Sequence, residues 1–290
     1  IMASKPGGTD VLHQVDIDVP VPSPTDVLIR QTAVGVNFID VYFRTGLYPW
    51  PVEKDLILGS EGAGIVEAVG AQVSDFSIGD RVAYTVPNGG YATHRLIPAA
   101  SLVQLPDHIS DAQAAAIMLK GLTACYLLHD SYPVIEGDVV LFHAAAGGVG
   151  SLAGQWLKSK GVHAIGTAGG AEKCERAKNY GFEEVIDYLS ENFPERVMEL
   201  TKGQGVDAVY DSVGKDTIMG SLECLKTFGT LVCFGQSSGR PDQFRIAHLA
   251  KGSFRLTRPI LFHFTDNRDW LERSSKKLFD AVARGDVKVN

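Results

Sequence analysis

The sequence predicts an α/β protein in two parts: a doubly wound parallel sheet of six strands and, ahead of it, a separate, mostly β domain. Three observations lead there. Asp138-Val139-Val140-Leu141-Phe142-His143 reads as a short buried strand, and it passes through a cluster of small residues into a segment with helical spacing at Leu152, Gln155, Trp156 and Leu157. Strand-like and helix-like segments then alternate as far as Arg258, the pattern of parallel strands joined by crossover helices. Before Ser110 that alternation is missing, and the chain is rich in Val, Gly and Pro with period-two patterning.

In chain order, the first region offers strands over 26–36, 64–69 and 81–86, with turns at Pro22-Ser23-Pro24 and Gly79-Asp80. Ser110 is a plausible cap for a helix over 110–129 carried by Ala112, Ala114, Ala115, Ala116, Met118 and Leu119. Lys120-Gly121-Leu122-Thr123 is the expected hinge. Beyond it, strands over 138–143, 162–167, 184–188, 206–212, 230–235 and 253–258 alternate with helices over 151–160, 171–180, 194–202 and 215–227. Leu271 to Ala283 reads as an amphipathic helix whose Leu278 and Phe279 face a core or an interface. The expected domains are 1–119, 120–258 and a return segment, 259–290, to the first.

The small residues Ala144-Ala145-Ala146-Gly147-Gly148-Val149-Gly150 lie where strand turns into helix. A pyrophosphate needs backbone amides aimed at it and no side chains in the way, and Gly or Ala at a helix N-terminus supplies both. The loop is a variant of the GxGxxG pattern in its required strand and helix setting, so a dinucleotide site is expected. An NAD site of this kind carries an acid about 20 residues beyond the first glycine, for the ribose 2′-hydroxyl. Here Thr167-Ala168-Gly169-Gly170 offer no carboxylate, and the next positive charge is Lys173. A 2′-phosphate suits that strand end, so the expected cofactor is NADPH. Lys173 alone reads equally as a solvated helix residue, and the missing acid is the stronger half of the argument. Ser212-Val213-Gly214 and Phe234-Gly235-Gln236-Ser237-Ser238-Gly239 fall at later strand ends, where a nucleotide or ordinary turn chemistry accounts for them equally.

Composition excludes other classes. A chain of 290 residues with 45% hydrophobic content can fill two cores. A formal charge of −7 argues against an obligate nucleic-acid binder. No apolar run approaches a membrane span, and no signal peptide is recognisable. Cys125, Cys174, Cys224 and Cys233 show no CxxC pair and read as free thiols in a reducing cytoplasm.

Gly59-Ser60-Glu61, Gly64, Val66, Gly70, Val73, Gly79-Asp80 and Val82 resemble the signature of the medium-chain dehydrogenase/reductase superfamily. Gly137-Asp138, Leu141, Ala145 to Gly148, Gly150, Gln155 and Lys158 resemble its quinone oxidoreductase and zeta-crystallin family, as do Gly35 to Asp40, Tyr42 to Pro49 and Lys120 to Thr123. The resemblance spans nearly the whole chain. It implies a GroES-like catalytic domain, a Rossmann domain and NADPH-dependent reduction of quinones in a cytoplasmic homodimer. The candidate catalytic residues are Asn37, Asp40, Tyr42, Tyr48 and Arg258. The candidate cofactor contacts are Asn37, Thr123, Ala146, Gly147, Gly148, Val149, Gly169, Lys173, Tyr188, Ser212, Phe234 and Ser237. By the same resemblance, Asn37 meets the nicotinamide ribose region, while Tyr42 and Tyr48 flank the quinone or else only pack.

Zinc-dependent relatives place a Cys ligand where this chain has Asn37 and a His where it has Ser60, and their cysteine lobe has no counterpart between Tyr84 and Leu105. Glu61 cannot hold the ion alone, so no metal is expected. Without a Lewis acid the substrate should take hydride readily, as a quinone does. An activated alkene, protonated by Tyr48 or Tyr42, is the alternative, and a crystallin-like or RNA-binding role on the same fold is another. The edge strand near Phe254 and Leu256 is the expected dimer contact. His143 reads as a satisfied packing residue, and Arg258 as either a substrate contact or a surface ion-pair partner. Ile1 begins inside an apparent first strand and Asn290 falls where related chains run on, so the family pattern implies more of the catalytic domain, including an arginine for the 2′-phosphate.

Overall fold

The computed structural model describes residues 1–289. It divides into two compact units, Ile1–Leu122 with Phe262–Ala283 and Val289, and Thr123–Leu261 with Arg284–Lys288.

The first unit begins with β1 (Met2–Ala3), β2 (Leu12–His13), β3 (Asp26–Gly35), α1 (Phe38–Arg44) and β4 (Leu56–Ile57). It continues with β5 (Glu61–Val69), β6 (Arg81–Thr85), β7 (His94–Pro98) and β8 (Leu102–Gln104). Five strands form an antiparallel sheet in the order β7-β3-β5-β6-β8 over a core of Val27, Ile29, Val66, Val82, Tyr84, Ile97 and Leu102. A small sheet, β2-β1-β4, packs Ala3, Val11 and Leu56 with Phe43.

The strand expected from Gly64 starts earlier, at Glu61. Its glycines mark close approach: a Cβ on Gly62 would lie 2.6 Å from Tyr84 Oη, and one on Gly64 2.3 Å from Arg30 O. Helix α2 (Asp111–Tyr126) has its expected cap, with Gln113 N donating to Ser110 Oγ and Ser110 N to Gln113 Oε1. It ends before Leu127, where one wider turn, Leu127–Ser131, continues the chain.

The second unit contains β9 (Val139–Phe142), α3 (Gly148–Ser159), β10 (His163–Ala168), α4 (Ala171–Asn179) and β11 (Glu184–Asp187). It goes on through α5 (Phe193–Leu200), β12 (Val206–Asp211), α6 (Ile218–Glu223), β13 (Leu225–Cys233) and β14 (Arg255–Thr257). All six strands are parallel, in the order β11-β10-β9-β12-β13-β14. The order reverses between β9 and β12, and a ligand of such a sheet sits at the carboxyl ends beside that reversal. The fold class predicted from sequence is the one observed.

The helix expected over 215–227 is shorter, and β13 starts at Leu225 rather than at Thr230. Cys224 and Leu225 are drawn into the sheet's core, Leu225 pairs with Val206, and Phe228 takes a left-handed φ of 67° that no helix allows. Finally, α7 (Leu261–Thr265) and α8 (Arg268–Arg284) follow. α8 buries Leu271, Leu278 and Phe279, and Leu278 lies where a Cβ on Gly121 would come within 2.6 Å.

Candidate functional site

Two groups of candidate residues form, one in each unit. In the second, the loop after β9 turns on Ala144, whose φ of 54° is unusual for a residue with a side chain. Ala145 N donates to Thr167 O, which ties the loop to β10. Helix α3 starts at Gly148 with Gly147 as cap and no capping side chain, so its first-turn amides are left for another acceptor. Gly147 and Gly148 are exposed, while Gly150 is buried, where a Cβ would stand 2.5 Å from Ala145 O. These residues fit a pyrophosphate: amides at a positive helix end, with nothing projecting over them.

At the end of β10, a Cβ on Gly169 would lie 2.6 Å from Tyr188 Oη, so only glycine leaves room for that phenol. Lys173 is exposed on the first turn of α4. The nearby acid that a window of about 20 residues missed is Asp187, at the end of β11. Its Oδ1 is engaged by Gly170 N at 2.9 Å and Leu189 N at 3.1 Å, so it braces the loop under Gly169. Ser212, Phe234 and Ser237 are brought together by main-chain bonds: Phe234 N donates to Asp211 O, and Ser237 N to Ser212 O. Thr123 is buried at the start of this unit. Arg258 is exposed and donates to Pro259 O.

In the first unit, Glu61 is the centre of a buried polar group. Its Oε1 accepts Asn37 Nδ2 at 2.7 Å and Lys120 Nζ at 2.9 Å, and its Oε2 accepts Leu119 N at 2.7 Å. Burial raises the Glu61 pKa, and the Lys120 ammonium, with these hydrogen bonds, pulls it back only in part. Gly35 makes room: a Cβ there would sit 2.2 Å from Glu61 Oε1. Asp40 is equally enclosed, its carboxylate accepting Asn37 N, Ser60 Oγ and Tyr91 Oη at 2.9, 2.8 and 2.6 Å. Burial, reinforced by that contact, pushes the Tyr91 pKa well up. Tyr42 and Tyr48 pack with ring centroids 5.0 Å apart, between Phe38 and Phe43.

Asn37 and Asp40, expected as substrate or cofactor contacts, have their side chains held by Glu61, Ser60 and Tyr91. Glu61 stood out only as unable to hold zinc alone and Lys120 only as part of a hinge, and their pairing across 59 residues leaves no local signal. Tyr91 carried none. The Asn37 amide and the Ser60 hydroxyl both donate to carboxylates. Among the described residues no three His, Cys, Asp or Glu side chains gather as a metal-binding group.

A parallel dinucleotide-type sheet in one unit and, in the other, an antiparallel sheet with this polar centre are the two parts of a medium-chain dehydrogenase/reductase. Two family descriptions match: the alcohol dehydrogenase GroES-like domain over residues 23–107 and the zinc-binding dehydrogenase over 148–276, a span that excludes Asn37 and Ser60. A quinone oxidoreductase of Pseudomonas aeruginosa is 48% identical over 285 residues, 98% of this chain and 87% of that protein. A 2-haloacrylate reductase of a Burkholderia species is 43% identical, over 97% and 86% of the two chains. The crystal structure of Escherichia coli quinone oxidoreductase complexed with NADPH superposes with a TM-score of 0.96 at 42% identity, covering all of this chain and 90% of that one. The chain belongs to the quinone oxidoreductase family of the medium-chain dehydrogenase/reductase superfamily.

Proposed function

We propose that the protein reduces quinones with NADPH, by hydride transfer and without zinc. The observation that carries this reading is the near full-length relationship to quinone oxidoreductases, on a fold whose phosphate loop is open and which has Lys173 on the first turn of α4 and Tyr188 just after β11. Bound NADPH supplies the hydride. Everything else is positioning. The α3 amides take the pyrophosphate, and Lys173 with the Tyr188 hydroxyl takes the 2′-phosphate, above a loop braced by Asp187. Ser212, Phe234 and Ser237 line the later strand ends for the rest of the nucleotide, with Thr123 contributing from the same unit, and Asn37 is a separate candidate contact in the first unit. In the first unit Glu61 and Lys120 hold the Asn37 amide, and Asp40 holds the start of α1. Tyr42 and Tyr48 present an aromatic wall to the acceptor ring. In the second unit, Arg258 is a separate candidate contact for a polar substrate group.

A second reading, reduction of an activated alkene, is favoured by the 2-haloacrylate reductase relative. Steady-state oxidation of NADPH with a quinone panel and a 2-enone panel separates the two. Turnover confined to enones would overturn the first. Tyr48→Phe sharpens the comparison: a ring that only orients a quinone keeps most of kcat, whereas loss of a proton donor lowers kcat with an enone by about 100-fold or more.

The reading extends to assembly. β14 is an edge strand with Leu256 38% exposed, and its open amides suit pairing with a second copy, which makes a homodimer. Light scattering that returns a monomer at micromolar concentration contradicts this. A cytoplasmic setting suits the four free thiols. No helix among the described residues is long and apolar enough to cross a membrane.

A further inference from the structure

His143, Thr167, Asp211 and Ser221 are all buried, and they form one hydrogen-bonded chain beneath the carboxyl ends of β9, β10 and β12. His143 Nδ1 is 2.9 Å from Thr167 Oγ1, and its Nε2 is 2.9 Å from Ser221 Oγ. Ser221 donates to Asp211 Oδ2 at 2.9 Å. The Asp211 carboxylate also accepts Thr217 Oγ1 and, through Oδ1, Val213 N at 2.8 Å and Gly214 N at 3.0 Å.

A carboxylate can only accept, so the direction of every proton in the chain follows from it. Ser221 spends its proton on Asp211 and must accept from His143 Nε2. His143 is then the Nε2–H tautomer, and its Nδ1 accepts from Thr167. Complete burial favours the neutral ring and lowers its pKa, despite the attraction of Asp211. With the ring held neutral by burial, Nε2 is its one donor and Nδ1 its one acceptor, and Thr167 is the donor to Nδ1.

His143 and Asp211 in this chain adjoin two different segments at the carboxyl ends of the strands. His143 immediately precedes Ala144, where the phosphate loop makes its left-handed turn. Asp211 fixes the turn Ser212–Gly214, whose carbonyls in turn hold the next loop: Ser237 N donates to Ser212 O, while Ser238 N and Oγ donate to Val213 O. We propose that Asp211 and His143 are positioning residues for the dinucleotide: they set the distance between the pyrophosphate loop and the 212–214 and 234–238 segments through a single polarised chain of hydrogen bonds. This rests on the NADPH reading above and adds to it two residues that touch no part of the nucleotide.

The test compares Asp211→Asn, His143→Leu and His143→Gln with the unaltered protein, using NADPH titration, amide exchange at Val213 and Gly214 in nucleotide-free protein, and the ¹⁵N shifts of His143. Asp211→Asn should raise the NADPH dissociation constant on the order of tenfold, with KM affected more than kcat, because charge-assisted bonds to the turn are lost. It should also speed exchange at both amides and reverse the tautomer, since an amide NH₂ facing Ser221 turns that hydroxyl towards His143 Nε2. His143→Leu should weaken binding similarly. His143→Gln, which keeps a donor for Ser221, should restore most of it. Ser274→Ala, which removes another buried hydroxyl in the other unit, controls for general destabilisation. Unchanged affinity and exchange in Asp211→Asn, or an equal loss in Ser274→Ala, would overturn the proposal. Should Asp211→Asn not fold, the two His143 variants decide on the same measurements, equal affinities for them counting against it. Failure of the unaltered protein to bind NADPH overturns the cofactor reading instead, and the exchange rates still decide the positioning role.

Discussion

Lys120 shows how much one side chain decides in the first unit. Among the described residues its ammonium is the only charge partner bonded to Glu61, which is wholly buried. Lys120→Met keeps the stem and removes the charge, leaving an uncompensated carboxylate, so a loss of about 3 kcal/mol is expected in denaturant unfolding at neutral pH. The sign of its pH dependence follows. Glu61 has a folded pKa above its unfolded value even with Lys120 present, so its ionisation opposes folding and that cost is relieved as pH falls through the folded pKa. Removing Lys120 raises that pKa further, and the deficit of the variant should therefore shrink on acidification. A deficit that grows as pH falls would contradict the arrangement. Lys173 is the opposite kind of residue, exposed and legible only through the acid missing before it. Lys173→Ala should weaken NADPH binding by about 1 to 2 kcal/mol, on the order of tenfold, and leave NADH nearly unaffected; equal losses would refute the 2′-phosphate assignment.

At the scale of elements, the second unit was easier to read than the first. Parallel strands buried on both faces appear as short apolar runs such as Val139–Phe142, and the small residues of the loop before α3 have little other purpose. The first unit hid more, because its glycines serve contact between strands rather than turns: the start of β5 at Glu61 was invisible for that reason, and β1, β2 and β4 are each two residues long. The site divided the same way. Asn37 and the phosphate loop were legible as types in a pattern, whereas Tyr91, Asp187 and Asp211 matter through partners 51, 17 and 10 residues away, which no local spacing reveals. Helix α3 offers a test of how closely it must seat. The Cβ of Gly150→Ala has backbone oxygens of Ala144 and Ala145 within 2.6 Å, so the helix must shift outward. The expected outcome is a loss of about 1 to 3 kcal/mol and a weaker NADPH complex, checked by thermal melting with and without nucleotide. An unshifted melting temperature would mean that the loop gives way at little cost.

For the whole molecule, the consequence lies in the order in which the chain is made. The first unit is discontinuous: residues up to Leu122 are completed by Phe262–Ala283, nearly 140 positions later. Arg268 donates to the Ala100 and Leu102 carbonyls, and Leu278 fills the space that Gly121 leaves open. During synthesis at about 5–20 residues per second, the early part must therefore wait roughly 10 s or more for its last helix, while the intervening unit is already emerging and can fold on its own contacts. The part that begins first is thus the part that finishes last. Stalled chains released after Leu261 should show a protease-resistant second unit and a cleavable first one, and a peptide of residues 262–284 added to them should restore resistance. Full protection of the first unit before α8 emerges would show that the helix arrives as a cover for a fold already made.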